Sequence, residues 1–502
     1  MSVVLKKSLL FFLGVLFFQW IQAKDPKKDS LVLSVSTGVT SASRDFLPFY
    51  LTQNRWGLIN EEPSLFSEIL ASYHYEITKN WSIQSGVHAR NSTVGSYYIS
   101  SSFRNFKFSL GAKAQKTGGL ATNLAINQFG LSPNARPLPS FTFETDGYLP
   151  IAKTKDYVWI KGGMSKGQFE KNRYMKNALL HSKNLYIKLK LEEFIGFNIS
   201  SGFVHFAQYG GTSPFGVGQP STPKDFWKAF TGRELISEYD SLSTEKNGRG
   251  NHLGMTEIII EKSLKNHQLS LDYQTPYERI KDLHYFNFHD FILALNWKLP
   301  VTTKWLEEVH LEYSQTMWQN GPGLPQSSSI YPTKESNYGY EFGGRANYNN
   351  HWLYRSGFTY HHQTMGNPLF MTYQFTQNFM PLYPAYEVSI TNNRIKSFHI
   401  AMTGFLSSKI QYRSQFTSVV NFGSYTGLFD GLNSWAGITN DLDYDYVFRG
   451  GKWQYYSLLE LKYQQPITKY PFDLSLMMAR DFGDFYSNWG LEISIVYNIQ
   501  NK

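Results

Sequence analysis

Cysteine is absent from the 502-residue sequence. Disulfides and thiolate metal sites are therefore excluded, although an exported chain of this length has access to both. Charge is scarce as well, since Asp, Glu, Lys and Arg together make up 17%. The net charge of +9 is scattered singly along the chain. Nucleic acid is thus not an expected partner, because phosphate binding needs Lys and Arg clustered on one face or helix. Long apolar runs are missing beyond the amino-terminal segment. That segment, Met1–Ala23, holds Lys6 and Lys7, an apolar run from Leu9 to Phe18, and Ile21-Gln22-Ala23. The run is about ten residues, half of the ~20 that a membrane-spanning helix needs. It reads as a signal peptide, with residues 24–502 as one mature domain that begins near Lys24.

Aromatics are abundant, at 17%, while the mean hydropathy is −0.36. Low charge, many aromatics and overall polarity fit a transmembrane antiparallel β-barrel of the outer membrane. Only alternate residues there meet lipid, and both membrane interfaces recruit Tyr, Trp and Phe. A soluble β-solenoid or propeller is the competing reading. Period-two alternation supports strands. Leu185, Ile187, Leu189 and Leu191 share one face, opposite Tyr186, Lys188, Lys190 and Glu192, and Leu491 to Ile499 repeats the pattern against Glu492 to Gln500. Similar strands read at Leu31–Val39, Gln268–Gln274, Phe291–Leu299, Val309–Met317, Phe398–Phe405, Ile410–Thr417 and Tyr455–Gln464.

The connections between strands alternate in length. Short turns are expected near Glu192–Glu193, Leu264–Asn266, Pro300–Lys304, Asn349–His351, Leu406–Ser408 and Gln465–Lys469. Long connections fall between them near Met164–His181, Gln208–Asn251, Thr275–His289, Trp318–Asn337, Thr364–Arg394 and Val419–Gly451, with Asp481–Ser487 short for its class. Short periplasmic turns and long outer loops are the asymmetry of such barrels. Of about twenty candidate strands, eighteen are assigned to the barrel, with segments such as Phe141–Thr145 read as outside it. One helix is legible in the longest loop, where Thr222 caps, Pro223 opens, Asp225 suits the first turn and Gly232 terminates.

Candidate chemistry is sparse. His361-His362 is the densest histidine pair, but neighbours on a strand point to opposite faces, so one metal ion is not expected there. The same geometry separates His181 from Ser182, and no G-x-S-x-G elbow exists, so neither an enzyme nor a cofactor is expected. The long connections carry Tyr209, Trp227, Trp318, Tyr331 and Trp435. Planar rings of this kind cover the apolar faces of sugars, which makes these five the candidate polysaccharide contacts. The opposing reading is that each packs its own loop or marks the membrane interface.

Six strings, taken together in order and spacing, resemble a known family. They are Arg44-Asp45-Phe46-Leu47-Pro48-Phe49-Tyr50-Leu51-Thr52-Gln53-Asn54-Arg55-Trp56-Gly57, Asn134-Ala135-Arg136-Pro137-Leu138-Pro139, Leu180-His181-Ser182-Lys183, Asn251-His252-Leu253-Gly254, Gly366-Asn367-Pro368-Leu369 and Asn392-Asn393-Arg394. The chain is similar over nearly its whole mature length to the capsule assembly Wzi proteins of the outer membrane. The resemblance implies an 18-stranded barrel obstructed by helical and loop insertions. It also implies a surface lectin that retains capsular or other surface polysaccharide; the chain is expected to act as a monomer with outer-membrane lipid around it. It assigns no ligand residues. A porin or substrate-specific channel on the same fold is the alternative.

Overall fold

The computed structural model describes residues 29–232, 250–278, 289–300, 304–319, 346–381, 389–424, 447–448, 450–465 and 472–501. Met1–Ala23, the segment read as a signal peptide, lies outside them.

Eighteen strands wrap into one antiparallel barrel. The first nine are β1 (Asp29–Ala42), β2 (Leu65–Thr78), β3 (Trp81–Arg90), β4 (Thr93–Phe103), β5 (Phe106–Ala112), β6 (Ser140–Thr145), β7 (Val158–Gln168), β8 (Leu179–Leu189) and β9 (Asn198–Tyr209). The rest are β10 (Asn251–Leu264), β11 (His267–Tyr277), β12 (Phe291–Lys298), β13 (Glu308–Gln315), β14 (Ile395–Ser407), β15 (Ile410–Asn421), β16 (Lys452–Tyr463), β17 (Phe472–Gly483) and β18 (Asn488–Asn501). The two-residue strand Leu149–Pro150 adds to β7. Closure comes from β1, which pairs with β2 on one side and with β18 on the other. Phe141–Thr145, read from sequence as outside the barrel, falls in β6, which pairs with β5 and β7.

The alternation has the physical origin expected of it. Leu185 and Ile187 are 38% and 45% exposed on the outer face, while Tyr186 between them is buried. On β18, Ile493 and Ile495 point outward, and Glu492 and Ser494 are buried inside. Aromatics edge this apolar belt, with Trp453 and Trp489 at one end and Trp81, Phe103 and Phe106 at the other. Such girdles mark the two interfaces of a membrane-spanning barrel. Among the described residues no helix is long and apolar enough to cross a membrane, so any crossing is made by strands.

Loop parity also holds. The rim carrying both chain ends has two-residue turns at 79–80, 104–105, 265–266 and 408–409. The opposite rim carries the long connections 43–64, 113–139, 210–250, 316–394 and 422–451. On that rim the short connection 484–487 was expected, and Asn91-Ser92 is a second one. The expected turn at Glu192–Glu193 is a one-turn helix, α1 (Glu192–Ile195), closed by Gly196 at φ 79°. Pro300–Lys304 and Gln465–Lys469 fall partly outside the described residues.

One expected turn is overturned. β13 bonds directly to β14, with Gln315 opposite Lys396, so Asn349–His351 does not join two barrel strands. Residues 316–394 form one connection, whose described residues from 346 to 381 enter the barrel. Its Tyr348, Tyr354 and Phe358 are buried in the luminal core rather than turned to lipid. That core also takes Leu47 and Leu51 from 43–64 and Ile126 and Phe129 from 113–139, packed against wall residues such as Val204, Phe206, Ile292 and Tyr456.

The capping signals act as read. Helix α2 (Pro223–Thr231) begins at Thr222, whose hydroxyl accepts the Asp225 N–H while the Asp225 carboxylate accepts the Thr222 N–H, and it ends at Gly232 with φ 68°. Its position, considered below, was not legible from those signals.

Candidate functional site

Three long connections fold into the lumen and are tied to the wall by hydrogen bonds, of which those to Asp481, Glu492 and Glu312 are charge-assisted and so of the stronger kind. From 43–64, the Phe49 N–H donates to Asp481 of β17 (2.8 Å), and Arg55 grips Glu492 of β18 with two bonds of 2.8 and 2.9 Å. The Phe49 ring stacks on Tyr456 at 4.2 Å. The Tyr50 hydroxyl lies 2.5 Å from Thr417 Oγ1 and 3.2 Å from His399 Nδ1, and burial raises its phenol above the ordinary range, so it stays protonated. From 113–139, the Ile126 and Asn127 N–H groups both donate to Glu312 of β13, and His399 donates through Nε2 to Leu124 O. From 316–394, Gly357 O accepts from Gln208 of β9 (2.9 Å) and from Arg173 (3.1 Å).

Three of the strings that carried the family resemblance, those of residues 44–57, 134–139 and 366–369, meet here. Asn134 accepts the Asn54 N–H and donates to Thr364 O, Arg136 donates to Gly57 O, and Asn367 donates to Asn127. A Cβ on Gly57, which has φ 57°, would come within 2.9 Å of the Arg136 backbone nitrogen. Those residues therefore build the filling of the lumen.

At the long-connection end this filling presents a strained surface. Asn54, Trp56, His361 and His362 have φ of 54°, 56°, 48° and 65°. Left-handed backbone in bulky residues costs of order 1–3 kcal/mol each and collects at binding sites. His361 and His362 are not on a strand, as sequence suggested, but form the tip of the hairpin pairing Thr359–Tyr360 with Gln363–Thr364. Such a tip normally favours Asn-Gly. Asn54 Oδ1 and Gln363 Oε1 are buried beside it without hydrogen-bond partners. A cavity of about 20 Å³ bounded by Gln53, Asn134 and His362 lies beside the tip, and another of about 40 Å³ is bounded by Trp56, Lys113, Gln115 and Arg136. They have room for water or a single hydroxyl group. An extended polar polymer can lie over this surface, but a sugar ring cannot enter the cavities. Nothing in the residue types of Trp56, Arg136 or the His pair announced this grouping.

The five aromatics chosen from sequence are not brought together. Tyr209, the last residue of β9, is fully buried against Leu179, Ala207, Phe226 and Ala229 and offers no free ring face. Trp227 is 56% exposed on α2, edge-on to Phe226 and Phe230. Trp318 follows β13, its ring 4.6 Å from His289 and its N–H bonded to Asp290. Tyr331 and Trp435 lie outside the described residues. His181 and Ser182 diverge as expected, with His181 against Phe226 and Ser182 bonded to Ser165. Among the described residues, no group of three or more His, Asp or Glu is placed to hold a metal ion.

At the opposite, short-turn end lies a chamber of about 540 Å³, roofed by residues 121–124 and lined by Lys298, Glu307, Glu308, Arg413, Glu460 and Lys462. Arg413 is paired with Glu460 at 2.7 Å.

A closed antiparallel barrel with an apolar outer belt, aromatic edges and a filled lumen has the architecture of an outer-membrane β-barrel. Among solved structures the chain is similar to Wzi, described as an outer-membrane protein involved in group 1 capsule assembly in Escherichia coli and as a carbohydrate-binding β-barrel. The TM-score is 0.54 at 10% identity, over 92% of this chain and 83% of that one. Two Pseudomonas aeruginosa proteins, OccK10 (OpdN) and OccK5 (OpdH), align with TM-scores of 0.43 and 0.44 at 10% and 6% identity, over 94% of this chain and 99% and 98% of theirs. No protein-family model and no curated protein matches the sequence. At these identities the likeness is one of fold.

Proposed function

We propose that the chain is a non-enzymatic outer-membrane protein that binds a surface polysaccharide through its long-connection face and helps hold it at the cell surface. The observation that carries this reading is the filled lumen. Segments of three connections are bonded to β9, β13, β14, β15, β17 and β18, which turns the barrel into a rigid platform. A platform suits retention better than passage. The strained surface around Trp56, Arg136 and His361-His362 supplies a ring, a cation and an exposed imidazole to a polymer lying across it. Single contacts of this kind are weak, but a repeating polymer engages many copies, and linkage raises avidity by roughly 10²–10⁴. The carbohydrate binding stated for the Escherichia coli barrel is in keeping with this.

The chamber at the short-turn end favours a second reading, a substrate-specific channel whose filling moves. One experiment separates the two. In a deletion strain, cell-bound polysaccharide should fall and released polysaccharide rise with total synthesis unchanged, and the purified protein should be electrically silent in planar bilayers. Unchanged partitioning together with steady conductance would establish the channel instead.

A further inference from the structure

The outer wall of β7–β10 changes character near the long-connection rim. Strand register sets its outward residues in rows. The lower rows are Ile160, Ile187, Ser201 and Ile258, then Gly162, Leu185, Phe203 and Thr256, all short or apolar apart from two hydroxyls. The next row toward the rim brings Lys183 and His205, and the one above it Lys166, His181, Ala207 and His252. The apolar belt therefore ends at Leu185 and Phe203, and lysines begin one row later.

Helix α2 lies on these upper rows, outside the wall. Phe226 and Phe230 pack on the His181 ring at 5.2 and 5.3 Å, and Lys183 Nζ donates to Phe230 O. Ala207, Tyr209 and Ala229 form a cluster separate from the luminal core. Trp227 on the helix, with Phe215 and Val217 before it, is exposed. A short amphipathic helix with an outward Trp, at the edge of an apolar belt, is the arrangement of an in-plane interfacial element. Directly below it the belt is grooved. Short Ser201 and Thr256 between Leu185, Ile187, Phe203 and Ile258 leave a channel of about 330 Å³ on the lipid face.

We propose that this wall is a lateral binding site for a phosphate-bearing lipid of the outer leaflet, with an acyl chain in the groove and the headgroup phosphate against Lys166 and Lys183 below α2. The ammonium of Lys183 keeps two N–H donors after bonding Phe230 O. Both lysines run their aliphatic stems along the wall and hold their charge at headgroup height. The assignment requires the long-connection rim to face outward, and it is independent of polysaccharide binding. It gives Trp227 a lipid neighbour rather than a sugar.

The lack of native cysteine makes the test direct. A Trp227→Cys variant carrying an environment-sensitive fluorophore is reconstituted in phosphatidylcholine vesicles containing diphosphoryl lipid A. The label should be quenched by nitroxides placed near the lipid headgroup and shielded from aqueous iodide. Native mass spectrometry of wild type should show retained lipid A, lowered at least about fivefold by Lys166→Gln, in line with roughly one surface charge. Ser201→Phe, which fills the groove and leaves the lysines, should lower it as well. Heat-modifiable migration on gels confirms that each variant is folded. Iodide quenching as free as in an aqueous loop, retention by both variants equal to that of wild type, or loss with only one of the two variants would overturn the lipid site.

Discussion

Arg55, on the first long connection, holds Glu492, on the last strand, through two parallel hydrogen bonds of 2.8 and 2.9 Å. Glu492 also accepts from Arg90 at 3.1 Å, and Arg90 in turn reaches Glu68, which is bonded to His88. Removing the shared acceptor should therefore cost more than removing one donor. Glu492→Ala leaves two guanidiniums without it and should destabilise the barrel by about 3–5 kcal/mol. Arg55→Ala leaves Glu492 paired with Arg90 and should cost about 1–3 kcal/mol. Denaturant unfolding of the two variants in detergent gives the order, and equal losses would contradict the shared-acceptor account.

The filling of the lumen should loosen in acid through His351. Its Nδ1 accepts the N–H groups of Leu353 and Tyr354 at 3.2 and 3.3 Å, which only a neutral ring can do. Burial pushes its pKa down to about 3, against about 6.5 in an unfolded chain. The folded state therefore resists a proton that the unfolded state takes up. The contribution is whole above about pH 6.5 and shrinks as pH falls toward about 3. Protection factors of the amides of 353–358, corrected for the intrinsic slowing of exchange in acid, should fall across that window. His351→Asn, which keeps an acceptor and does not titrate, should flatten the response, and an unchanged acid response would assign it to another group.

Conductance should appear when anchors are cut. Glu312 holds the N–H groups of Ile126 and Asn127, and Asp481 holds that of Phe49. A Glu312→Ala, Asp481→Ala double variant should give flickering single-channel currents where wild type is silent. A silent double variant that remains folded would mean that packing alone keeps the lumen filled.

Orientation can be read with single cysteines. Ser92→Cys, on the tight turn of the long-connection rim, should react with an impermeant maleimide on intact cells. Lys265→Cys and Ser408→Cys, on opposite-rim turns, should react only after permeabilisation. The reverse pattern would invert the barrel in its membrane.

Processing is expected after Ala23. Mass spectrometry of the purified protein should find an amino terminus at or near Lys24, and an intact Met1 would remove the signal peptide.

The strands were legible because lipid and filling impose opposite demands on alternate residues, as Leu185 and Tyr186 show. The same alternation cannot tell which apolar partner a residue meets. Tyr348, Tyr354 and Phe358 face the luminal core, yet in sequence they look like material for two more strands joined by a turn at Asn349–His351. Helix α2 was readable to its ends because the bonds between Thr222 and Asp225 are local. Its seat on the outer wall, which buries Tyr209 and exposes Trp227, depends on β8 and β9 and left no mark in its own nine residues. The surface around Trp56 and His361 was hidden for a similar reason, since it is assembled from segments some three hundred positions apart and marked by backbone dihedrals rather than residue type.

The bonds from Arg55 to Glu492 and from Phe49 to Asp481 join the beginning of the chain to its end, 437 and 432 positions away. The segment 43–64 thus lacks these two anchors until the last two strands are in place. Seating of 43–64 becomes a report that the barrel has closed. A chain stalled before β17 would hold this segment by its remaining contacts alone, without the carboxylates of Asp481 and Glu492, which would mark an unfinished barrel to any periplasmic factor that binds apolar peptide.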